Sequence, residues 1–225
     1  MKNNYLFKSF LFSFVLVLGL YLAGCVNVDQ DTKVNADGSG SINLEYWTKM
    51  SNVSSSDELG GFAFTEDKTR KNYESSNTTV NSVNVEDKLD DSTKHVMVEL
   101  DFKDINKLSS AKGFEKIISS WKEGKDGMDF SYTVPKDTSN AGNMGASDTK
   151  LTYTFEFPDE VISTNGRKDG NKAVFEKTLA DLKEDLVMTA TVKGGAKKSC
   201  GLFGIELPLI LLVGLTYMAA KRRKK

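Results

Sequence analysis

The segment VNVDQDTKVNADGSGSINLEYWTK, residues 26–49, contains the clearest strand pattern in the chain. Apolar side chains alternate with polar ones on both sides of a polar centre, at Val26, Val28 and Val34 and then at Ile42, Leu44 and Tyr46. This period of two is typical of strands that bury one face. The centre, Asn35-Ala36-Asp37-Gly38-Ser39-Gly40, has the residue types of a turn. We therefore predict a β-hairpin.

Similar alternation continues to residue 193. Further strands are predicted around 80–85, 96–102, 128–134, 151–157, 161–162, 173–178 and 186–192. Thr65–Ser75 is predicted to contain a helix with Thr65 as its N-cap, and Asp104–Ala111 a short helix capped by Asp104. Residues 114–121 fit either a helix or a strand. The predicted fold is α+β: a mainly antiparallel β-sheet with one or two helices packed on one face, plus a C-terminal transmembrane helix.

The N-terminal 24 residues have the layout of an export signal. Lys2 and Lys8 precede an apolar stretch of about 13 residues, which is too short to cross a bilayer of about 30 Å comfortably. Leu22-Ala23-Gly24-Cys25 then matches the lipobox of bacterial lipoproteins. This resemblance implies cleavage before Cys25 and acylation of its thiol, so that acyl chains such as palmitate anchor the chain. An ordinary signal peptide or an N-terminal membrane helix is the alternative.

The C-terminus is also apolar. A linker at 194–201 leads to residues 202–220, which would form a helix of about 28 Å, and a basic tail follows at 221–225. By the positive-inside rule this tail is expected in the cytoplasm. The layout also resembles C-terminal sorting signals, in which Cys200, Gly201 and Glu206 would be recognised for processing. Retention and cleavage of this segment are both open.

The region between these ends is acidic and free of cysteine. Seven of the 30 basic residues and one of the 31 acidic residues lie in the end segments, which leaves residues 26–199 with a net charge of −7. Such a charge argues against nucleic acid as a partner. The two cysteines, Cys25 and Cys200, both lie beside apolar stretches, so the domain has no disulfide framework.

The sequence offers little for catalysis. A hydrolytic triad needs a histidine, and His95, the only one, is expected at the surface near a turn. Asp29, Asp31 and Asp37 lie near one hairpin, but their spacing does not match a calcium loop. No metal and no cofactor are expected. The aromatic residues of the predicted strands are expected in the core, although Tyr132, Tyr153 and Phe155 are candidates for lining an apolar pocket if the sheet is curved.

Three motifs carry a family resemblance. They are Asp31–Gly40 after the lipobox, Phe102–Leu108, and the run from Phe157-Pro158-Asp159-Glu160-Val161 through Asn165-Gly166 to Asp169–Phe175. In this order they resemble the LppM-like bacterial lipoproteins across most of residues 25–225. The resemblance implies an LppM-like domain at 25–193 in the cell envelope, and lipid binding has been proposed for such proteins. It supplies no catalytic residues.

These observations predict a non-enzymatic envelope module. The chain is expected at the extracytoplasmic face of a bacterial membrane, lipid-anchored and single-pass, binding a lipid, a glycolipid, a glycan or another envelope protein. The alternative is a structural or assembly role without a small-molecule pocket.

Overall fold

The computed structural model describes residues 26–53, 55, 57–136 and 149–194. Their larger sheet has seven strands, in the spatial order β11 (Arg167–Asp169), β12 (Lys172–Thr178), β9 (Lys150–Glu156), β1 (Asn27–Val34), β2 (Gly40–Lys49), β6 (Thr93–Phe102) and β5 (Thr78–Lys88). A second sheet has four, in the order β10 (Val161–Thr164), β13 (Leu186–Val192), β8 (Met128–Val134) and β7 (Ile118–Glu123). A short ribbon pairs β3 (Glu58–Leu59) with β4 (Phe62–Ala63).

The predicted hairpin is confirmed and forms the centre of the larger sheet. β1 and β2 pair antiparallel from Asn27 opposite Trp47 to Val34 opposite Gly40. The turn between them is closed by a hydrogen bond from Asn35 N to Ser39 O, 2.7 Å long. Gly38 has a φ of +86°, which favours glycine. β1 also pairs with β9, in parallel, so the larger sheet is mixed.

The α+β prediction is wrong, because the described chain is mainly β. The buried face of the larger sheet packs on the second sheet around β9, where the ring of Phe155 contacts those of Phe130 and Tyr132. Around β2 the same face is covered by other segments, because Tyr46 packs on Phe64 and its hydroxyl lies 3.2 Å from Thr69 Oγ1 in the helix Glu66–Tyr73. Strand periodicity shows which face of a strand is buried, but not which of two sheets the strand joins. The mixture of a parallel pair with antiparallel pairs also departs from the predicted antiparallel sheet.

The transmembrane part of that prediction is not supported either. The predicted helix at 202–220 lies outside the described residues. Within the described ranges, no helix has both the length and the apolar character needed to cross a membrane.

One predicted helix is confirmed as α1 (Glu66–Tyr73), with Thr65 at its N-cap and acidic residues in its first turn. It lies against the edge strand β5. Arg70 Nη1 donates to the carbonyl of Val80 (2.8 Å), and the Val80 N–H donates to Glu74 Oε2 (2.9 Å). The two side chains thus satisfy both backbone groups of Val80, beside an irregularity in the β5–β6 register.

The other helical segments are short. The predicted helix after Asp104 is a 3₁₀ helix, Ile105–Ser110, in which Asp104 accepts from the Asn106 N–H as the predicted cap. The ambiguous segment 114–121 contains the end of a 3₁₀ turn, Lys112–Phe114, and then the strand β7. Another 3₁₀ helix, Leu179–Lys183, begins with a capping box between Thr178 and Asp181. Met50–Asn52 forms a single 3₁₀ turn after β2.

Candidate binding surfaces

The three residues predicted to line an apolar pocket lie between the two sheets. Tyr132, Tyr153 and Phe155 are 1%, 6% and 0% exposed. The Phe155 ring lies 4.7 Å from the ring of Phe130 and 5.2 Å from that of Tyr132, centroid to centroid. Tyr132 lies 6.0 Å from Tyr153 in the same way. These side chains fill the interface, and none of the three lines the grooves described below.

The tyrosine hydroxyls of this interface are neutral. Burial, reinforced by the neighbouring Tyr153, raises the pKa of Tyr132 above its usual value, and burial alone does so for Tyr153. The Tyr132 hydroxyl donates to Gln30 Oε1 (3.3 Å), and Gln30 Nε2 donates to Thr32 Oγ1 (2.9 Å). This buried polar chain links the two sheets and has the character of a structural contact.

The outer face of the four-stranded sheet changes character along its strands. The register aligns three rows across β7, β8 and β13: Ile118–Thr133–Val187, Ser120–Ser131–Thr189 and Lys122–Asp129–Thr191. The first row has exposed apolar ends, the second carries only hydroxyl groups, and the third is charged and polar. Ser163 of β10 lies beside Thr191 and extends the third row.

A groove of about 400 Å³ lies over the hydroxyl and charged rows of this face. The hydroxyls of Ser120, Ser131, Ser163 and Thr189 line it and make no hydrogen bond to any other residue in the described part of the chain. Adjacent strands are about 4.8 Å apart, so neighbouring hydroxyls in the row are spaced by roughly that distance. The groove therefore offers a line of unused donors and acceptors with a lysine and an aspartate at one end.

The outer face of the seven-stranded sheet is more acidic. A smaller groove of about 290 Å³ includes Asp29, Asp31, Glu45 and Glu99. Partial burial, followed by the charges of Asp31 and Glu45, raises the pKa of the Asp29 carboxyl. Within residues 26–53, 55, 57–136 and 149–194, no three His, Cys, Asp or Glu residues are grouped so that they could hold a metal ion.

His95 is not the surface residue that the sequence predicted, because it is only 6% exposed. Its ring stacks on Trp47 at 5.4 Å with an interplanar angle of 2°. His95 Nδ1 lies 2.7 Å from Glu45 Oε1, and Nε2 lies 2.9 Å from Thr93 Oγ1. Trp47 lies directly opposite His95 in the β2–β6 register, and this pairing, which the sequence alone does not indicate, accounts for the burial.

The order of hydroxyl, imidazole and carboxylate in this cluster resembles a hydrolytic triad, but the hydrogen bonds do not suit one. The Thr93 hydroxyl donates its hydrogen to Asp91 Oδ1, 2.5 Å away. The hydroxyl hydrogen is therefore directed at a carboxylate and not at the imidazole, unlike the nucleophile of a triad. The cluster instead fixes the turn between β5 and β6.

The predicted lipidation residue Cys25 lies just before the first described residue. The predicted processing residues Cys200, Gly201 and Glu206 also lie outside the described residues.

No protein-family model matches the chain, and no curated protein matches its sequence. Among solved structures, the fold is similar to the NMR structure of the folded domain of LppM from Mycobacterium tuberculosis. The sequence identity is 14% and the TM-score 0.46, over 78% of this chain and 93% of that chain. This is a similarity of fold only. It concerns no ligand, site or membrane attachment, and lipidation of Cys25 stays a prediction.

Proposed function

We propose that this chain is an exported lipoprotein, tethered by acyl chains on Cys25, whose β-sandwich binds the polar headgroup of a glycolipid, or a free glycan, without catalysing a reaction. The observation that carries this proposal is the groove on the outer face of the four-stranded sheet, with its line of unpaired hydroxyls. Sugar hydroxyls both donate and accept hydrogen bonds, and serine and threonine hydroxyls do the same.

The direction of the groove supports a ligand that comes from the membrane. β1 begins at Asn27, two residues after Cys25. β9 runs parallel to β1, so a residue near the start of β9 lies near the start of β1. Tyr132 of β8 packs on Tyr153 of β9, whereas Phe130 of β8 packs on Phe155, two residues farther from that start. Moving along β8 from Phe130 towards Thr133 therefore approaches the start of β1. The apolar row Ile118–Thr133–Val187 lies at the end of the domain where β1 begins, and the hydroxyl row Ser120–Ser131–Thr189 lies next to it. A glycolipid with its acyl chains in the bilayer would therefore place its headgroup at the hydroxyl row.

The packing between the sheets favours headgroup binding over the enclosure of an acyl chain. An acyl chain needs an apolar cavity, and the side chains between the sheets are almost completely buried against one another. The groove of the four-stranded sheet lies outside this core. A ligand held there would keep its acyl chains in the bilayer, and we expect its affinity to come mainly from hydrogen bonds.

The non-enzymatic part of the proposal is supported by the state of the titratable groups. The buried tyrosines are held neutral, and the Thr93 hydroxyl beside His95 donates its hydrogen to Asp91 and not to the imidazole. A role in assembly with another envelope protein is the second candidate. The packed core favours this candidate as well, because the described residues leave no internal cavity for a small molecule and only the outer faces of the sheets for contact with a partner protein.

Native mass spectrometry after gentle detergent extraction tests the proposal. The variant with Ser131→Ala and Thr189→Val removes two hydroxyls of the row with little change in volume. We expect a glycolipid or glycan adduct on the parent protein and a clear loss of it in this variant. Each hydrogen bond contributes about 0.5–1.5 kcal/mol, so two of them correspond to a loss in affinity of roughly fivefold to more than a hundredfold.

The control is Thr152→Val, which repeats on the larger sheet the threonine-to-valine change made at Thr189. Thr152 lies next to Asp29 in the parallel β1–β9 register, on the outer face away from the groove. Its adduct should equal that of the parent protein. A stoichiometric protein partner without a glycan adduct would support assembly instead, and an adduct that both variants retain equally would contradict the assigned groove. Mass analysis of the mature N-terminus tests the acylation of Cys25 separately.

A further inference from the structure

The exposed apolar residues of the domain are concentrated at one end. The large hydrophobic side chains that are exposed among the described residues are Leu89, Ile118, Ile162 and Val187, at 81%, 67%, 47% and 45%. Exposed single residues are common in proteins. Their distribution is the informative feature here, because the register places three of the four near the start of β1.

The β-sheet register locates each of them. Asn27, the first residue of β1, pairs with Trp47. Lys49, two residues farther along β2, pairs with Thr93 at the start of β6. Thr93 in turn pairs with Lys88, the last residue of β5. Leu89 follows in the turn, and therefore lies at the end of the sheet where β1 begins.

Ile118 and Val187 lie at the same end of the other sheet. Both pair with Thr133, so they flank it on the outer face, about 10 Å apart across two strand spacings. Tyr132 contacts Tyr153 near the start of β9, so the next residue, Thr133, lies at the end of the domain where β1 begins. Ile162 lies at the opposite end, because Val161 pairs with Val192 and Val192 pairs with Met128 at the start of β8.

We infer that Leu89, Ile118 and Val187 form a membrane-contact surface that rests on the bilayer beside the acylated Cys25. The inference rests on the proposed tether: the acyl group is two residues from β1, so this end of the domain must lie at the bilayer surface. Trp47 lies at the same end, and tryptophan is a side chain favoured at the membrane interface.

The shape of the surface suits shallow insertion. Leu89 is held at the tip of a fixed turn, because Asp91 accepts hydrogen bonds from both the Thr93 N–H and the Thr93 hydroxyl. Lys88 precedes the leucine, and Asp90 and Asp91 follow it, so the turn carries no net positive charge and attraction to anionic lipids is not the source of the contact. The contact relies on apolar burial and should persist at high salt concentration.

Tryptophan fluorescence with brominated lipids tests the inference. Full-length acylated protein would be reconstituted into vesicles of phosphatidylethanolamine and phosphatidylglycerol with brominated acyl chains. The variants Ile118→Trp and Ile162→Trp form a matched pair, since both replace an exposed isoleucine of the four-stranded sheet at opposite ends. We expect the added emission to be quenched and blue-shifted for Ile118→Trp, and unchanged by bromine for Ile162→Trp.

Leu89→Trp is a second probe that does not depend on the four-stranded sheet, and it should be quenched like Ile118→Trp. Flotation of the same vesicles tests the tether separately from the membrane-contact surface. Protein that floats but shows no quenching at either probe, or equal quenching at the control position, overturns the contact surface and leaves the tether intact. Protein that does not float overturns the tether and the contact surface together.

Discussion

Replacement of Phe155 by alanine tests whether the space between the sheets is a packed core. Its side chain is fully buried and has aromatic neighbours on both sheets: Phe130, Tyr132 and Phe175, at centroid distances of 4.7, 5.2 and 6.0 Å. Removing such a ring costs about 3–5 kcal/mol, from lost apolar burial and from the cavity left behind. A domain is stabilised by only about 5–15 kcal/mol in total, so the loss is a large fraction of its stability.

Urea unfolding followed by tryptophan fluorescence measures this loss. Trp121 is a suitable reporter, because it stacks on Phe157 at 5.7 Å, and Phe157 lies 5.0 Å from Phe130 in the same cluster. With a denaturant slope of about 2 kcal/mol per molar, the midpoint of Phe155→Ala should fall by roughly 2 M. Ile162→Ala, at an exposed position, should change stability by less than about 0.5 kcal/mol.

The refuting result is specific. If Phe155 lined an apolar ligand site that is empty in the free protein, its truncation would lower stability by well under 1 kcal/mol and would abolish ligand binding. A small midpoint shift together with loss of the co-purified adduct would therefore overturn the packed core and favour an internal site. A large shift with the adduct retained in the folded fraction agrees with the groove.

Three further predictions concern stability. Gly40→Ala should destabilise the domain by about 2–3 kcal/mol in urea unfolding, because an added Cβ would lie 1.9 Å from the backbone carbonyl oxygen of Lys33 and 2.6 Å from the ring of Phe102. Asp29→Asn should raise the melting temperature at neutral pH, because the pKa of Asp29 is raised in the folded state and its ionisation therefore disfavours the fold as pH rises. Thermal melts at several pH values should show that this gain disappears below about pH 4, where Asp29 is protonated in both states. Asp181→Ala should lower stability by about 0.5–1 kcal/mol near neutral pH; hydrogen bonds from the Thr178 N–H and hydroxyl lower the pKa of Asp181, and the difference should vanish in acid.

The local structure was largely readable from the sequence. The hairpin at 26–49 follows from strict alternation around a turn, and the N-cap positions of Thr65 and Asp104 follow from residue preferences at helix starts. Of these two side chains, only that of Asp104 makes a capping hydrogen bond. Partnerships over long sequence distances were not readable. Nothing local to β9 indicates that it pairs in parallel with β1, more than 120 residues earlier.

The candidate site was harder to predict for the same reason. Ser120, Ser131 and Thr189 come from three separate strands, and each looks like an ordinary solvent-facing residue of its own strand. They form a row only through the strand order of the second sheet, which periodicity does not determine. The alternating aromatic residues Tyr132, Tyr153 and Phe155 stand out in the sequence, but they lie in the core and do not indicate a binding site.

The hydrogen bonds that Arg70 and Glu74 make to Val80 would have a further consequence under the proposed membrane tether. An unprotected edge strand can recruit the edge of a neighbouring molecule and extend the sheet from one copy to the next. Tethering confines molecules to two dimensions, where encounters between edges become frequent. Arg70 and Glu74 occupy the carbonyl and the N–H of Val80 in β5. The helix and the residue that follows it thereby block pairing with another strand at Val80, near the start of the edge strand, and this would limit aggregation at a crowded membrane surface.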